Sequence, residues 1–285
     1  MFDRIALIKS KLACPVCHGD IFESESVWSC QTCRKEFLAK DGQICFETVS
    51  LPEEQKNLNK VRDWFKQWPK FYYFILDFFG PVWWGGLDPQ TFLKRFPAVG
   101  TTVDLGSGPS RVAEEIINVD LFSYPSVDIV SGITNLPFKN DSIQRIICDN
   151  VLEHISEPEA ALAEMRRVLA PGGVAYICLP FLAPFHASPY DYTRWTAQGF
   201  RYLAGKHFAV VEDGVVSGIF STLTTWLCYL LASLFSFGNV TLYWLLVNFS
   251  TLIFFPIKFL DIIANHLPFA RDTAAVLYFV LKKNN

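Results

Sequence analysis

Between Gly214 and Ile257 the chain carries no Asp, Glu, Lys, Arg or His, and this uncharged run limits what the rest of the molecule can be. It holds two apolar stretches, 216–235 and 240–260, each near the roughly 20 residues that a helix needs to cross a bilayer. Ser236-Phe237-Gly238-Asn239 between them has turn-forming composition. Backbone polar groups in lipid must be satisfied within the segment, which two helices achieve and an irregular loop does not. The run therefore reads as a helical hairpin in a membrane. A shallow hairpin that dips in and returns is a second reading, which Asn248 and Pro256 suit, and a helix pair buried in an oligomer is a third. After the run, Ala274-Ala275-Val276-Leu277-Tyr278-Phe279-Val280-Leu281 has the composition of a buried strand. Whatever sheet the chain builds before the hairpin is finished after it.

That sheet is announced by Val103-Asp104-Leu105-Gly106-Ser107-Gly108-Pro109-Ser110, β-propensive residues running into an acid and then into alternate glycines. Without a Cβ, Gly106 and Gly108 let the backbone come close to a ligand. An ordinary tight strand-to-helix turn is the rival reading. Arg111 stands where a dinucleotide fingerprint would place its third glycine, so a pyrophosphate cradle is incomplete and NAD or FAD is disfavoured. Asn118-Val119-Asp120 ends a second short strand in an acid, which can bind ribose hydroxyls. Val127-Asp128-Ile129-Val130-Ser131, Leu136-Pro137-Phe138 and Ile143-Gln144-Arg145-Ile146-Ile147-Cys148-Asp149-Asn150 follow, and the last runs into Val151-Leu152-Glu153-His154-Ile155.

The ordered set, with Glu164-Met165-Arg166-Arg167-Val168-Leu169-Ala170-Pro171-Gly172-Gly173 behind it, resembles the class I S-adenosylmethionine (SAM) dependent methyltransferases. The likeness is greatest to the type 11 group, which includes quinone-biosynthesis enzymes. It covers about residues 100–210 and returns at the last strand. The resemblance implies a Rossmann-like α/β sheet. It also implies that Asp104, Gly106 and Gly108 line the methionine end of SAM, that Asp120 takes the ribose, and that Ile133 and Thr134 flank the adenine. By the same resemblance Asp149 and Asn150, at the mouth of the fourth strand, also belong to the cofactor site. Two departures stand out: the first helix must be short or degraded, because Gly108 and Asp120 are so close, and Ile133-Thr134 replaces the usual acid and small residue.

Near the amino terminus Cys14-Pro15-Val16-Cys17 and Cys30-Gln31-Thr32-Cys33 form two knuckles that can present four thiolates to a tetrahedral zinc. The segment resembles the small zinc-ribbon proteins that activate methyltransferases, and the amino-terminal ribbon of some ribosomal-RNA methyltransferases. Docking of a partner is one role for it. Stapling a module too small to hold its own core is the other. The segment Met1 to Leu12 is charged and amphipathic, without the apolar core of a secretory signal, and favours reduced thiols.

Of the 26 phenylalanines, ten tyrosines and eight tryptophans, many crowd into one stretch: Trp64, Phe65, Trp68, Phe71, Tyr72, Tyr73, Phe74, Phe78, Phe79, Trp83 and Trp84. Interleaved with Lys66 and Lys70, they read as a membrane-interface helix, a lid over the substrate, or plain packing. The loop after the fifth strand of the core carries His186, Asp191 and Arg194. There His186 is a candidate general base, and Asp191 and Arg194 orient it or clamp the substrate. A purely structural Asp191–Arg194 pair is the alternative. His154 reads as structural, with a ring bordering the pocket.

These readings divide the chain into a zinc ribbon (1–50), an aromatic linker, lid or interfacial segment (51–98), a SAM-binding core (99–215), a membrane hairpin (216–262) and the last strand of the core (263–285). They describe a membrane-associated methyltransferase acting on a lipid, lipid-linked or other small acceptor. An RNA or protein methyltransferase with a docking ribbon and a catalytically inactive membrane scaffold are the alternatives. The net charge of −3 disfavours nucleic acid as the main partner. Lys258, Arg271, Lys282 and Lys283 follow the second apolar stretch, which points to a catalytic domain on the cytoplasmic side.

Overall fold

A computed structural model describes residues 4–24, 27–47, 78–186 and 189–284. Most of the aromatic stretch therefore lies outside the described residues, which resume at Phe78.

The centre of the molecule is a run of apolar strands, each followed by a turn at the same edge. Strands β5 (Thr102–Leu105), β6 (Ile117–Asp120), β7 (Ile129–Val130), β8 (Ile143–Asp149) and β9 (Leu169–Pro180) lie parallel in the order β7-β6-β5-β8-β9. Every residue of β5, β6 and β7 is buried, as strands covered on both faces require. Strands β10 (Ala209–Ser217) and β11 (Val276–Lys282) complete that side as β9-β11-β10, with β11 antiparallel to both neighbours. The carboxyl end of β10 therefore returns to the edge where β5, β6, β8 and β9 end.

The faces are covered unequally. The helix Pro158–Val168 buries Ala161, Leu162, Met165 and Val168 on one face, and Phe200 and Ala204 of the helix Ala197–Gly205 join them. On the other face a second core gathers Leu87, Phe92, Ile147, Tyr176 and Val280. It is covered by the short helix Pro89–Arg95, which Asp88 caps by accepting the Thr91 N–H at 2.8 Å. No helix forms between β5 and β6. Arg111 fills that gap instead, with both terminal nitrogens 3.0 Å from the Asp128 carboxylate.

The ribbon does not stand apart. Its antiparallel strands β1 (Ile21–Ser24), β2 (Val27–Cys30), β3 (Glu36–Lys40) and β4 (Gln43–Cys45) extend the core sheet, because β4 pairs in parallel with β7. Among the described residues eleven strands run in one sheet.

The apolar insertion is a pair of packed helices, Ile219–Phe235 and Val240–Phe254. The first starts later than the hydropathy suggests, because Val216 and Ser217 still belong to β10. Its 17 residues span about 26 Å, a little under the hydrocarbon thickness of a bilayer. The second tightens to 3₁₀ turns over Phe255–Leu260, where Pro256 has no N–H to offer an α-helix, and then ends in Asp261–Ala264. Taken together, Val240–Ala264 is the one helix among the described residues long and apolar enough to cross a membrane. Leu223, Trp226, Leu230, Leu234, Leu245 and Phe249 are among its exposed apolar side chains and those of the preceding helix.

Asp261 anchors this pair. Fully buried, it accepts from the backbone N–H groups of Gly218 (3.2 Å), Phe220 (2.9 Å) and Ser221 (2.8 Å), capping the first helix from the far end of the second. Lys258, counted above among the charges flanking the second apolar stretch, is instead fully buried and donates to the Gly80 carbonyl at 2.7 Å. It therefore contributes no exposed charge to an orientation argument.

Candidate active site

Three strand ends bring three acids together. Asp104 on β5, Asp120 on β6 and Asp149 on β8 all lie at the carboxyl edge of the sheet. Burial pushes the Asp104 carboxyl from its ordinary 3.8 up to about 7, helped by the charges of Asp149 and Asp120 and opposed by Arg111. Burial raises Asp120, against the pull of backbone bonds from Phe122 and Gly108, and raises Asp149 as well. Raising several acids side by side is costly for an empty site and suits one that receives a cation.

The backbone between these acids is shaped for a ligand. Gly106 (φ +70) and Gly108 (φ +59) both occupy the left-handed region. A Cβ at Gly106 would lie 2.4 Å from Val151 Cγ2, whereas one at Gly108 would meet nothing within 4 Å and would project into open space. Asp120 holds this turn, accepting from the Gly108 N–H at 2.8 Å and from the Phe122 N–H at 2.8 Å. Beside it, Asn150 takes φ +53, a conformation that asparagine tolerates better than most residues, and its amide donates to Asp149 at 2.8 Å.

A cavity of about 280 Å³ lies along these ends, walled by Gly106, Gly108, Asp120, Ile133, Asn150 and His154 among others. An adjoining outer cavity of about 520 Å³ is lined by Trp83, Trp84, Asp149 and Asn150. Of the residues proposed from sequence for cofactor binding, Gly106, Gly108, Asp120, Ile133 and Asn150 wall the inner cavity, and Asp149 lies in the outer one with Asn150. Asp104 is buried beside them, and Thr134 does not line the cavity.

The three residues proposed for catalysis also meet, with unequal tasks. Arg194 grips Asp191 through both terminal nitrogens and donates to the carbonyls of Ala183, Pro184 and Thr193. Asp191 also accepts the His186 N–H at 2.8 Å, so this pair shapes the loop. Burial raises the Asp191 carboxyl, but the bonds from Arg194 and His186 outweigh it and leave the group below its ordinary value. The His186 ring points its Nε2 at Glu153 Oε1, 3.5 Å away.

Glu153 carried no functional reading from the sequence. It is fully buried, and among the described residues its carboxylate oxygens accept no well-formed hydrogen bond, the His186 contact being a long one. The His154 Nε2 lies 3.8 Å from the same oxygen, and its Nδ1 bonds the Tyr190 carbonyl, which makes that nitrogen the protonated one. The two imidazoles meet edge-on at 5.2 Å. The ligating atoms of Glu153, His154 and His186 lie within 4.8 Å of one another, close enough to share a proton or a cation. His186 is correspondingly raised, first by the approach of its ring to the Glu153 carboxylate and against desolvation. It is His154, not His186, whose side chain walls the inner cavity.

The stretch 86–177 matches the family model of the methyltransferase domain. The chain carries a methyltransferase domain. Over 72 residues it is 38% identical to the demethylmenaquinone methyltransferase of Renibacterium salmoninarum, covering 24% of this chain and 30% of that one. Over 141 residues it is 29% identical to an uncharacterised methyltransferase of Mycolicibacterium paratuberculosis, covering 47% of this chain and 54% of that one. The chain thus spans between a quarter and about half of the curated relatives it matches. Among solved structures, a Burkholderia thailandensis 1,6-didemethyltoxoflavin-N1-methyltransferase holding S-adenosylhomocysteine aligns at TM-score 0.44 and 13% identity, over 90% of this chain and 98% of that one.

The ribbon beside the methyltransferase domain offers a second site. Cys14 and Cys33 sulfurs lie 3.6 Å apart and Cys17 and Cys30 sulfurs 3.4 Å apart, with all four within 4.8 Å. A zinc tetrahedron with bonds of about 2.3 Å has sulfur–sulfur edges of about 3.8 Å, so the four thiolates fit that ion.

Proposed function

We propose that the chain is a SAM-dependent methyltransferase that works at a membrane surface on a lipid or lipid-linked acceptor. The observation that carries the first half is the trio of buried, raised acids around an open glycine turn, which suits a ligand bearing both a sulfonium and an ammonium. Bound there, the cofactor supplies an electrophilic methyl group. Asp104 and Asp149 compensate its positive charge, Asp120 keeps lone pairs for ribose hydroxyls while holding the turn, and Trp83 and Trp84 keep water from the outer cavity. His154 Nε2, backed by the Glu153 carboxylate, receives a proton from a hydroxyl or amine acceptor.

What supports the second half is where the hairpin is attached. Ser217 pairs with Val276, and Val276 with Pro180, so the chain leaves and rejoins the sheet at the edge that holds the cavities. Trp83 ties the two together: its N–H donates to the Ser221 hydroxyl at 2.8 Å, its carbonyl accepts from Ser217 at 2.9 Å, and its ring lies 5.4 Å from Phe259. The Trp226 indole donates to the Leu182 carbonyl, joining the first hairpin helix to the loop that carries His186. A bilayer holding the hairpin would face the acceptor side of the site.

The test is extraction of membranes from cells making the full chain. The protein should stay in the pellet through 1 M salt and alkaline carbonate and leave it only with detergent. Release by carbonate alone would remove the integral placement. The acceptor class is then read by methyl transfer from labelled SAM into chloroform-soluble or aqueous products, and a solely aqueous product would overturn the lipid assignment.

A further inference from the structure

The ribbon packs behind one wall of the inner cavity. Strand β4 is fixed against β7 by more than its ladder: the Phe46 and Glu47 N–H groups both donate to the Val130 carbonyl, at 2.9 and 3.3 Å. Gln43, almost fully buried, donates its amide to the carbonyls of Tyr124 and Val127 and accepts from the Ser123 hydroxyl at 2.6 Å. The segment it clamps supplies Leu121, Phe122 and Tyr124 to the cavity wall.

Just beyond β4, both carboxylate oxygens of Glu47 lie 3.2 Å from the point where Gly132 would carry a Cβ. Gly132 lines the cavity between Ser131 and Ile133. Because Gly132 has no side chain, a carboxylate from another part of the chain can lie against this wall. No ion pair forms between Glu47 and a described cation, and the core's own residues at 131–133 bring no ionised acceptor.

The order of strands gives this end of the cavity its occupant. The acids that compensate positive charge sit at β5 and β8, Asp120 sits one strand over at β6, and Ser131–Ile133 follow β7. Adjacent strands are about 4.8 Å apart, so a nucleoside whose ribose lies at Asp120 places its base at β7, next to the ribbon. We infer that the Glu47 carboxylate, presented by the ribbon, accepts a hydrogen bond from the exocyclic amino group of the cofactor's adenine and so selects adenine over a base with a keto group there. The inference rests on the SAM-binding reading above. A carboxylate accepts from an amino group and repels a carbonyl oxygen, which makes the contact discriminating.

Calorimetric binding to the full-length, zinc-loaded, detergent-solubilised protein tests this with two ligands, S-adenosylhomocysteine and S-inosylhomocysteine, which differ in the amino group. The wild type is expected to bind the adenosine compound at least tenfold more tightly. Glu47→Gln, whose amide can accept from an amine or donate to a carbonyl, is expected to reduce that ratio to within about threefold, with zinc content and melting temperature unchanged. Glu47→Ala should lose the ratio as well. A ratio is independent of the fraction of folded protein, so partial misfolding of a variant does not mimic the result. Wild-type discrimination retained in both variants overturns the inference while leaving the cofactor reading in place. A wild type that binds neither compound refutes the cofactor reading, and the inference with it.

Discussion

Replacing Asp104 by Asn should stabilise this protein while weakening its cofactor site. The group is almost fully buried, and its carboxyl is raised from 3.8 to about 7 by burial and then by Asp149 and Asp120. Between those values the folded state holds a proton that the unfolded chain has released, so stability falls as pH rises from about 4 towards 7 and levels off above it. At about 1.4 kcal/mol per unit, the raised group costs the folded state about 4 kcal/mol at pH 8 and about 2 kcal/mol at pH 5. Asn has the same shape and never ionises. Asp104→Asn should therefore melt higher than wild type by roughly 10 °C at pH 8, taking about 2–4 °C per kcal/mol for a chain of this size, with the gap roughly halved at pH 5. Scanning fluorimetry of the solubilised proteins across that pH range reads the effect. In the same samples S-adenosylhomocysteine should bind the variant roughly ten- to a hundredfold more weakly, the loss expected for a charge-assisted contact. A variant less stable than wild type at pH 8, or a gap that does not change with pH, would refute the reasoning.

Two further perturbations probe the attached modules. Removing zinc with a strong chelator, or by Cys30→Ser, should raise hydrogen exchange in the ribbon and also across residues 117–130, because β4 is paired with β7; protection confined to its wild-type pattern after the metal is gone would speak against zinc as the ribbon's support. Asp261→Ala leaves three backbone N–H groups at the start of the first hairpin helix without their acceptor and should cost about 2 kcal/mol or more. Faster exchange at Gly218–Ser221 is the expected signature, and unchanged exchange there would show that the cap is dispensable.

What the sequence made legible follows from how local each signal was. The glycine turn, the acids at strand ends and the paired knuckles are short, and each needs only its neighbours in the chain to be recognised. The placement of the acids in the sheet agrees with the resemblance, since Asp104, Asp120 and Asp149 stand on strands that end at one carboxyl edge. Glu153 escaped notice because its burial shows only in the fold, and His186, which meets it at 3.5 Å, comes from a loop 33 residues away. Lys258 misled for the same reason, since a lysine that follows an apolar run looks like a surface charge until its bond to Gly80 is seen. The additions to the core were each visible, and so was the hairpin's place before the last strand, but not where the ribbon joins the sheet. The ribbon extends the sheet beyond β7 and the hairpin opens between β10 and β11, so they lie at opposite ends of the strand order. A nucleoside laid across β6 and β7 has the ribbon at its base end, and its reacting end points towards the hairpin. On the SAM reading, that division gives the two modules different work, the ribbon bearing on which cofactor is held and the hairpin on which acceptor arrives.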